Sequence, residues 1–194
     1  MDDLKVKIAK ALMEELETKT LDKITIKDLV NKLGVSRQAF YYHFDDLYAV
    51  IEWIFSEASV NILDLYSDIL SWQLAFVTIM RWVKNHDKFV INSYKSVSRD
   101  YIETFMNKVL SPYIAKVVNT QAEGMNITED QKSFITRFFT ISFNALILDW
   151  MKEGMKEDPK DIIDKLEILV DGDFKKALKN FHNRNEYIEK YMKD

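Results

Sequence analysis

The chain has 194 residues, of which 47% are hydrophobic and 30% are charged, so it can bury a substantial core. With only 4 Gly and 2 Pro there is little material for turns, and the composition predicts an all-α fold of long helices. The absence of Cys and the wide separation of His43, His86 and His182 exclude a disulfide framework and predict no metal site and no cofactor. The net charge of −4 weighs against a protein that coats nucleic acid, so any DNA binding must come from a local basic surface.

The first predicted element is an amphipathic helix, because Leu4, Ile8, Leu12 and Leu16 recur at helical spacing on one side of it. Charges alternate through the same segment, which differs from the basic and then apolar pattern of a signal peptide. No run of about 18 apolar residues occurs anywhere in the chain. We therefore expect a cytoplasmic protein that does not enter the membrane.

Residues 24–44, ITIKDLVNKLGVSRQAFYYHF, contain two short helical patterns joined by a tight turn. In the first pattern Thr25 occupies an N-cap position, and Asp28, three residues later, completes a capping box. Gly34 supplies the residue that can turn at positive φ, and Ser36 is placed to cap the second helix. This arrangement predicts a helix-turn-helix, and the amphipathic helix before it supplies the third helix of a small domain.

The second helix of this motif carries the side chains that a DNA-reading helix needs. Arg37 can pair with guanine, Gln38 with adenine, and the small Ala39 leaves room for a thymine methyl group. Tyrosine and histidine can donate hydrogen bonds to phosphate oxygens. The predicted DNA-binding residues are Thr25, Lys27, Ser36, Arg37, Gln38, Ala39, Tyr41, Tyr42 and His43. The alternative interpretation is that the aromatic residues pack a small helical subdomain and the polar residues face water.

The Gly-Val-Ser turn and the Phe-Tyr-Tyr-His-Phe run of this stretch resemble the N-terminal domain of the TetR family of bacterial transcriptional regulators. The resemblance implies a DNA-binding domain over residues 1–46, here called the head. It also implies a helical ligand-sensing and dimerisation domain over residues 47–194, here called the body. Family members commonly have Lys three residues after the last Phe, close to a DNA phosphate, whereas this chain has Leu47 there. The resemblance therefore does not extend to that phosphate contact.

The head also carries the local positive charge that site-specific DNA binding requires. Between residues 23 and 44 the charged side chains are Lys23, Lys27, Lys32 and Arg37 against Asp28, a local charge of +3. A small basic surface on an acidic protein favours binding to particular sites over indiscriminate binding.

The chain after the head is predicted to be helical throughout. Residues 47–66 continue as one helix, which the resemblance implies joins the head to the body. A break at residues 67–71 precedes a helix over residues 72–85. Ser98 is placed to cap a helix that extends to residue 121, in which Pro112 predicts a kink or an interruption near Ser111 because it lacks a backbone donor.

The helix that follows Thr128 is the most apolar segment of the body. Thr128 and Gln131 form a capping-box pattern at its start, and apolar residues cover nearly its whole circumference. Such a helix must be covered on two sides, and a second copy of the chain is the simplest cover for one of them.

The last predicted helix begins at Asp158 as N-cap with Pro159 in its first turn, and is expected to run through Phe174. The polar tail over residues 182–194 either extends this helix or frays. The two apolar helices together suit a four-helix interface in a homodimer. The predicted dimer-interface residues are Phe134, Phe138, Phe139, Phe143, Leu146, Trp150, Ile162, Leu166 and Leu169.

The resemblance therefore implies a dimeric, sequence-specific transcriptional regulator, expected to be a repressor, that binds a double-stranded DNA operator and senses a small-molecule effector. An alternative keeps the DNA-binding head but makes the body a platform for a protein coregulator. Trp53, Trp72 and the Arg81-Trp82 pair carry a weaker similarity to regulators of dihydroxyacetone kinase operons, some of which respond to a protein partner.

An enzyme is not expected, because the chain has no Gly-rich phosphate loop and no trio of nucleophile, base and acid that its spacing would support. The scattered polar candidates in the body are Arg81, Tyr94, Asn144 and Asp149. Ser142, Asn144 and Asp149 could line a pocket, and the alternative is that they form satisfied buried polar groups or hydrogen bonds at an interface.

Overall fold

A computed structural model describes residues 3–66 and 72–192, and these residues form ten α-helices and one short 3-10 helix. The prediction of an all-α fold is confirmed. The 3-10 helix spans Leu21–Lys23. The α-helices are α1 Asp3–Leu16, α2 Ile26–Leu33, α3 Arg37–Tyr41, α4 Leu47–Tyr66, α5 Trp72–Asn85, α6 Asp87–Tyr94, α7 Arg99–Gln121, α8 Glu129–Lys152, α9 Pro159–Val170 and α10 Asp173–Tyr191.

Most helix boundaries follow capping signals that are local in the sequence. Thr25 and Asp28 form the predicted capping box at α2, and Thr128 and Gln131 form the one at α8. The Asp158 side chain accepts from the backbone N–H of Lys160 at the start of α9. These caps satisfy backbone donors that the first turn of a helix leaves without a partner, which explains why the helices start where they do.

Two boundaries differ from the prediction. Of the two outcomes predicted at Pro112, the interruption is wrong, because α7 continues through it, and the kink stays a prediction. Pro112 is exposed, so water can take the place of the missing backbone donor. The prediction that one helix runs from Pro159 through Phe174 is also wrong: α9 ends at Val170, and Gly172, with φ of 73°, turns the chain into a separate helix. The tail that was predicted either to extend the helix or to fray is part of α10 as far as Tyr191.

The described residues divide into two compact units. The first comprises the described residues of Met1–Asp68 and Thr78–Phe105, and the second those of Ile69–Val77 and Met106–Asp194. In the first unit α1 contacts α2, α4 and α6, and it buries Ile8, Leu12 and Leu16. Because α4 and α6 pack on α1, this unit extends beyond residue 46. The division at residues 46 and 47 concerns function rather than packing, and it stays a prediction.

The core of the second unit is built around the inner side of α8. Ile135, Phe139, Phe143 and Ile147 are buried there, and α10 contacts both α8 and α9. The predicted break at residues 67–71 lies outside the described residues. Within residues 3–66 and 72–192, no helix combines the length and the apolar character that a membrane crossing requires.

Candidate nucleic-acid interface

The turn between α2 and α3 has the geometry that its sequence predicts. Gly34 adopts φ of 67°, in the left-handed region, and the Val35 N–H donates to the carbonyl of Val30 at 3.0 Å. The Ser36 hydroxyl accepts from the backbone N–H of Ala39 at 3.1 Å, which caps α3. A left-handed glycine followed directly by a new N-cap turns the chain sharply, and this sets the direction of α3 relative to α2.

Aromatic side chains anchor α3 to the rest of the first unit. Phe40 is fully buried, and its ring lies 6.1 Å from the ring of Phe44, which in turn lies 6.1 Å from the ring of Trp53 on α4. The ammonium of Lys5 on α1 lies 5.3 Å and 5.2 Å from the ring centroids of Phe44 and Trp53. The short helix is therefore held by α1 and α4, and its opposite side is left for a partner.

The side of α3 away from Phe40 carries exposed polar and aromatic residues. Arg37 and Gln38 are exposed at its start, and 53% of Tyr41 and 84% of Tyr42 are exposed at its end. Their side chains offer the hydrogen-bonding groups that base edges and phosphates accept. We call Arg37, Gln38, Tyr41 and Tyr42, together with the exposed Lys27 of α2, the recognition surface.

Half-buried Ala39 and His43, and the exposed Thr25, lie outside the recognition surface. Ala39 and His43 are half-buried, and the ring of His43 meets that of Tyr42 edge to face at 5.0 Å. The Thr25 hydroxyl donates to the Asp28 carboxylate at 2.6 Å, and the Thr25 N–H donates to the same carboxylate at 3.0 Å. Because both hydrogens are engaged, Thr25 acts first as the cap that orders α2.

The capping box also affects the acidity of its carboxylate. The hydrogen bonds from the Thr25 side chain, and then from its backbone, lower the pKa of Asp28. The ionised carboxylate is thus the form that the folded head stabilises. A negative charge in the first turn of α2 also suits the positive end of the helix dipole.

The structure removes Lys32 from the basic surface that the sequence predicts. Its ammonium lies 2.9 Å from a Glu14 carboxylate oxygen and 3.0 Å from one of Glu15, both on α1. These carboxylates raise the pKa of Lys32, while hydrogen bonds from Lys19 and then from Lys32 lower the pKa of Glu15. Lys32 therefore joins α2 to α1 and contributes little charge toward DNA. The sequence does not predict this ion pair, because its partners lie on another helix.

Leu47, which stands where the resembled family commonly has Lys, is the first residue of α4 and is half-buried. The Asp46 carboxylate accepts from the backbone N–H of Ala49 at 2.8 Å and so caps this helix. The start of α4 therefore presents an acidic cap and an apolar side chain rather than a cation.

Two contacts that sequence reasoning missed connect α6 and the chain after it to the head. The Asn92 amide donates to the carbonyl of Leu16 at 2.7 Å, at the end of α1. The Ser96 hydroxyl donates to the Asp22 carboxylate at 3.0 Å. Hydrogen bonds from Thr20, and then from Ser96, lower the pKa of Asp22. These partners are more than seventy positions apart, so no local pattern signals them.

The predicted dimer-interface residues of the body are in two different environments. Phe139, Phe143, Trp150 and Ile162 are buried within the single chain, so their side chains face its own core rather than a partner. The burial of Trp150 is completed by its indole N–H, which donates to the carbonyl of Glu157 at 3.0 Å. The other predicted interface residues are accessible to a partner. Phe134, Phe138, Leu146 and Leu169 are exposed, and Leu166 is half-buried.

Two of the three polar residues of α8 that could line a pocket form ordinary hydrogen bonds instead. The buried Asn144 donates to the side-chain oxygen of Asn107 at 2.9 Å. The Ser142 hydroxyl donates to the carbonyl of Phe138 at 2.8 Å, and Asp149 is exposed. This arrangement agrees with the interpretation of Asn144 as a satisfied buried polar group.

Sequence comparisons place both parts of the chain among transcriptional regulators. A family model described as bacterial regulatory proteins, tetR family, matches residues 8–52, and one described as transcriptional regulator C-terminal region matches residues 71–172. The chain is 23% identical over 149 residues to the HTH-type dhaKLM operon transcriptional activator DhaS of Lactococcus lactis subsp. lactis (strain IL1403), across 76% of this chain and 79% of that protein. It is 24% identical over 175 residues to the HTH-type transcriptional regulator YvdT of Bacillus subtilis (strain 168), across 84% and 90%.

A solved structure has the same fold. The dihydroxyacetone kinase operon activator DhaS matches 94% of this chain over 99% of its own, with a TM-score of 0.68 and 18% sequence identity. This likeness confirms the predicted architecture, a helix-turn-helix domain followed by a helical domain.

Proposed function

We propose how this chain, which belongs to the TetR family of bacterial transcriptional regulators and is a DNA-binding regulator rather than an enzyme, recognises its operator. The recognition surface lies in the major groove of double-stranded DNA, and α3 is the reading helix. The observation that carries this proposal is the two-sided character of α3, with Phe40 fully buried on one side and Arg37, Gln38, Tyr41 and Tyr42 exposed.

The residues of the recognition surface divide into two roles. Arg37 and Gln38, in the first turn of α3, read base edges, because guanidinium and carboxamide groups can form paired hydrogen bonds with guanine and adenine. Tyr41, Tyr42 and Lys27 contact phosphates and set the register of the head on the duplex. Ser36 and Ala39 lie close to the groove floor as small residues, and His43 supports the ring of Tyr42.

The chain acts as a homodimer whose two heads bind the two halves of an inverted repeat. This part of the proposal is supported by an exposed apolar stripe on α8, in which 61% of Phe134 and 57% of Phe138 are exposed and Ile141 follows one turn later. Phe134 and Phe138 also line a groove with Ala177 and Phe181 of α10. A symmetric pairing of α8 and α10 would bury this stripe in a four-helix interface. Exposed Leu146 and Leu169, with half-buried Leu166, lie at the margin of the interface.

The body senses a small-molecule effector that changes the affinity of the heads for DNA. A cavity in the second unit supports this candidate over the alternative of a protein coregulator, since sites for small molecules are concave and lined mostly by apolar side chains. We expect the chain to repress transcription. The similar regulator from Lactococcus lactis is instead named an activator, so the sign of regulation has to be measured.

Selection of binding sites from a random-sequence DNA pool by the full chain tests the proposed recognition. We expect enrichment of an inverted repeat whose half-sites are separated by about one helical turn or a multiple of it. Enrichment of a single unrepeated site, or of no sequence, would contradict the dimeric reading mode.

A promoter fusion compared in cells with and without the gene gives the sign of regulation, because reporter output rises on deletion of a repressor and falls on deletion of an activator.

A further inference from the structure

The second compact unit contains a cavity of about 630 Å³. Its walls come from α5, α7, α8 and the α9–α10 junction, all within this unit. Phe76, Ile114 and Phe143 are buried and form its floor, whereas Glu167, Asp171 and Lys175 are exposed at its mouth. Sites for small organic molecules have volumes of about 300–1,000 Å³, so the cavity can hold such a ligand.

Three aromatic rings form one wall of the cavity. The Trp72 and Phe143 rings are stacked with centroids 5.7 Å apart, and Phe76 meets both rings edge to face at 5.8 Å and 5.4 Å. Phe174 lines the cavity as well. A lining of aromatic rings favours an apolar ligand with a ring of its own, and it also favours a positive charge held close to the rings.

The charged residues at the mouth are mostly acidic. Glu167 and Asp171 lie one helical turn apart at the end of α9, and Lys175 is the cation that lines the same cavity. Within the described part of the chain neither Asp171 nor Lys175 has an ion-pair partner. These three side chains carry a net charge of −1, so on balance an anionic ligand would be repelled and a cationic ligand attracted, with Lys175 opposing part of that attraction.

Gln73 positions one of the two carboxylates at the mouth of the cavity. Its amide nitrogen donates to the Glu167 carboxylate at 2.7 Å, and since a carboxylate only accepts, the amide oxygen must point the other way. That oxygen is buried and has no hydrogen-bond partner among the described residues. Because this oxygen has almost no accessible surface, a ligand in the cavity does not reach it, and the contribution of Gln73 is the hydrogen bond that holds the Glu167 carboxylate at the cavity wall.

We infer that this cavity binds an organic cation, a protonated amine or a quaternary ammonium carried on an aromatic or other apolar body. The apolar body lies against Trp72, Phe76 and Phe143, and the positive charge lies between the rings and the carboxylates of Glu167 and Asp171. The inference deepens the proposed function, because it rests on effector sensing by the body and states the chemical class of the effector.

Three ligands of nearly equal shape separate charge from apolar burial: 1-naphthylmethylammonium, its neutral counterpart 1-naphthalenemethanol, and the anion 1-naphthoate. We measure the binding of each to the full-length protein by isothermal titration calorimetry at neutral pH. The ammonium should bind at least tenfold more tightly than the alcohol, and the carboxylate should bind most weakly. Equal or tighter binding of the alcohol or the carboxylate, or no binding of any of the three at millimolar concentration, would overturn the inference.

Two variants locate the charge recognition. Glu167→Gln and Asp171→Asn keep the shape of exposed side chains, and we expect each to weaken binding of the ammonium at least fivefold while binding of the alcohol changes less than twofold. Glu153→Gln removes an exposed carboxylate of the same unit that does not line the cavity, and it serves as the matched control. A thermal melt of each variant checks that it is folded. If Glu167→Gln and Glu153→Gln weaken ammonium binding equally, the attraction is a general effect of charge, and the assignment to this cavity fails.

Failure of the inference and failure of the proposed function give different results. Calorimetry without DNA tests the ligand class, and a DNA titration with and without saturating ammonium tests effector sensing. Tight binding of the ammonium with unchanged DNA affinity would support the cavity assignment and contradict the sensing role. Changed DNA affinity in the wild-type protein but not in Glu167→Gln supports both.

Discussion

The protein exposes two pairs of aromatic side chains whose chemistry differs. Tyr41 and Tyr42, on and directly after α3, are 53% and 84% exposed, while Phe134 and Phe138 on α8 are 61% and 57% exposed. The tyrosines end in hydroxyl groups that can donate to phosphate, so a polar partner can satisfy them. The phenylalanines have no polar atom, and their burial against an apolar partner is favourable because it removes apolar surface from water.

Under the proposed function these two surfaces are interfaces with different physical requirements. The head offers hydrogen-bonding groups on a helix that is already anchored by Phe40, so it can bind DNA without further ordering of that helix. The body offers an apolar stripe that is expensive to leave exposed, so it should be occupied permanently by a second copy of the chain. Variants that damage one surface should therefore leave the other intact.

The largest effect is expected from a charge placed in the apolar stripe. Phe138→Asp should dissociate the homodimer, because the substitution occurs twice in a symmetric interface and each copy costs about 2 kcal/mol, so that the dimer dissociation constant rises on the order of 1,000-fold. Sedimentation velocity over a range of concentrations measures this change. Lys179→Asp, at an exposed position of α10 that does not line the α8–α10 groove, is the control and should stay dimeric. A Phe138→Asp protein that remains dimeric at micromolar concentration would place the interface elsewhere.

The next largest effect concerns base reading by α3. Arg37→Ala and Gln38→Ala should each cost about 1–3 kcal/mol at particular operator positions and relax base preference there, because each removes a paired contact to one base. Tyr41→Phe and Tyr42→Phe should instead weaken binding by about 1 kcal/mol at all sequences, since they remove phosphate contacts. Titrations against single-base operator variants separate the two classes. Arg184→Ala, an exposed Arg on α10, is the matched control. Altered preference in Tyr42→Phe with unaltered preference in Arg37→Ala would invert the assigned roles.

A smaller effect is expected in the salt dependence of DNA binding. Lys23, Lys27 and Arg37 are the cations between residues 23 and 44 that have no ion pair within the described residues, so two heads neutralise about six phosphates and the slope of log K against log salt is about −5. Lys32→Ala should leave this slope unchanged, because its charge is already paired with Glu14 and Glu15.

Leu47→Lys tests the missing cation directly. Leu47 is half-buried, so the aliphatic part of a lysine can keep its contacts while the ammonium reaches solvent, and the slope should steepen by about one unit per head. Filter-binding or fluorescence titrations from low to high salt measure the slope. A wild-type slope near −10 would indicate basic contacts outside α2 and α3, and a steady slope with a lowered melting temperature would identify Leu47 as a packing residue.

The smallest effect concerns the cap of α2. Thr25→Ala removes an N-cap and should lower the free energy of unfolding by about 1 kcal/mol. Because folding lowers the pKa of Asp28, its contribution is fully present above the ordinary pKa of an Asp, about 4, and is lost as the pH falls through the lower folded value. Asp28→Asn should therefore flatten the acid side of the stability profile. Urea unfolding at a series of pH values measures both changes, and Asp130→Asn, in the first turn of α8 but not part of its capping box, is the control. An unchanged acid side in Asp28→Asn would show that other carboxylates govern acid unfolding.

The sequence by itself determined the helical class, the helix-turn-helix and most helix starts. Capping boxes and a left-handed glycine act between residues at most a few positions apart, so Thr25 with Asp28, Gly34, and Thr128 with Gln131 were readable without a structure. The polar composition of α3 could also be predicted from the sequence, because Phe40 and its exposed neighbours belong to one short helix.

Only the tertiary structure decided which charges and which apolar residues remain available to partners. In the sequence Lys32 has no evident partner, but in the structure α1 places Glu14 and Glu15 beside it. Phe138 and Phe139 are equivalent in the sequence pattern, whereas packing buries Phe139 and leaves Phe138 exposed. Gly172 divides the last predicted helix in two, and the junction of α9 and α10 completes the wall of a cavity. The sequence did not predict this cavity, because its lining residues come from several helices. These outcomes depend on contacts between distant residues, whose energies are set by geometry rather than by local pattern.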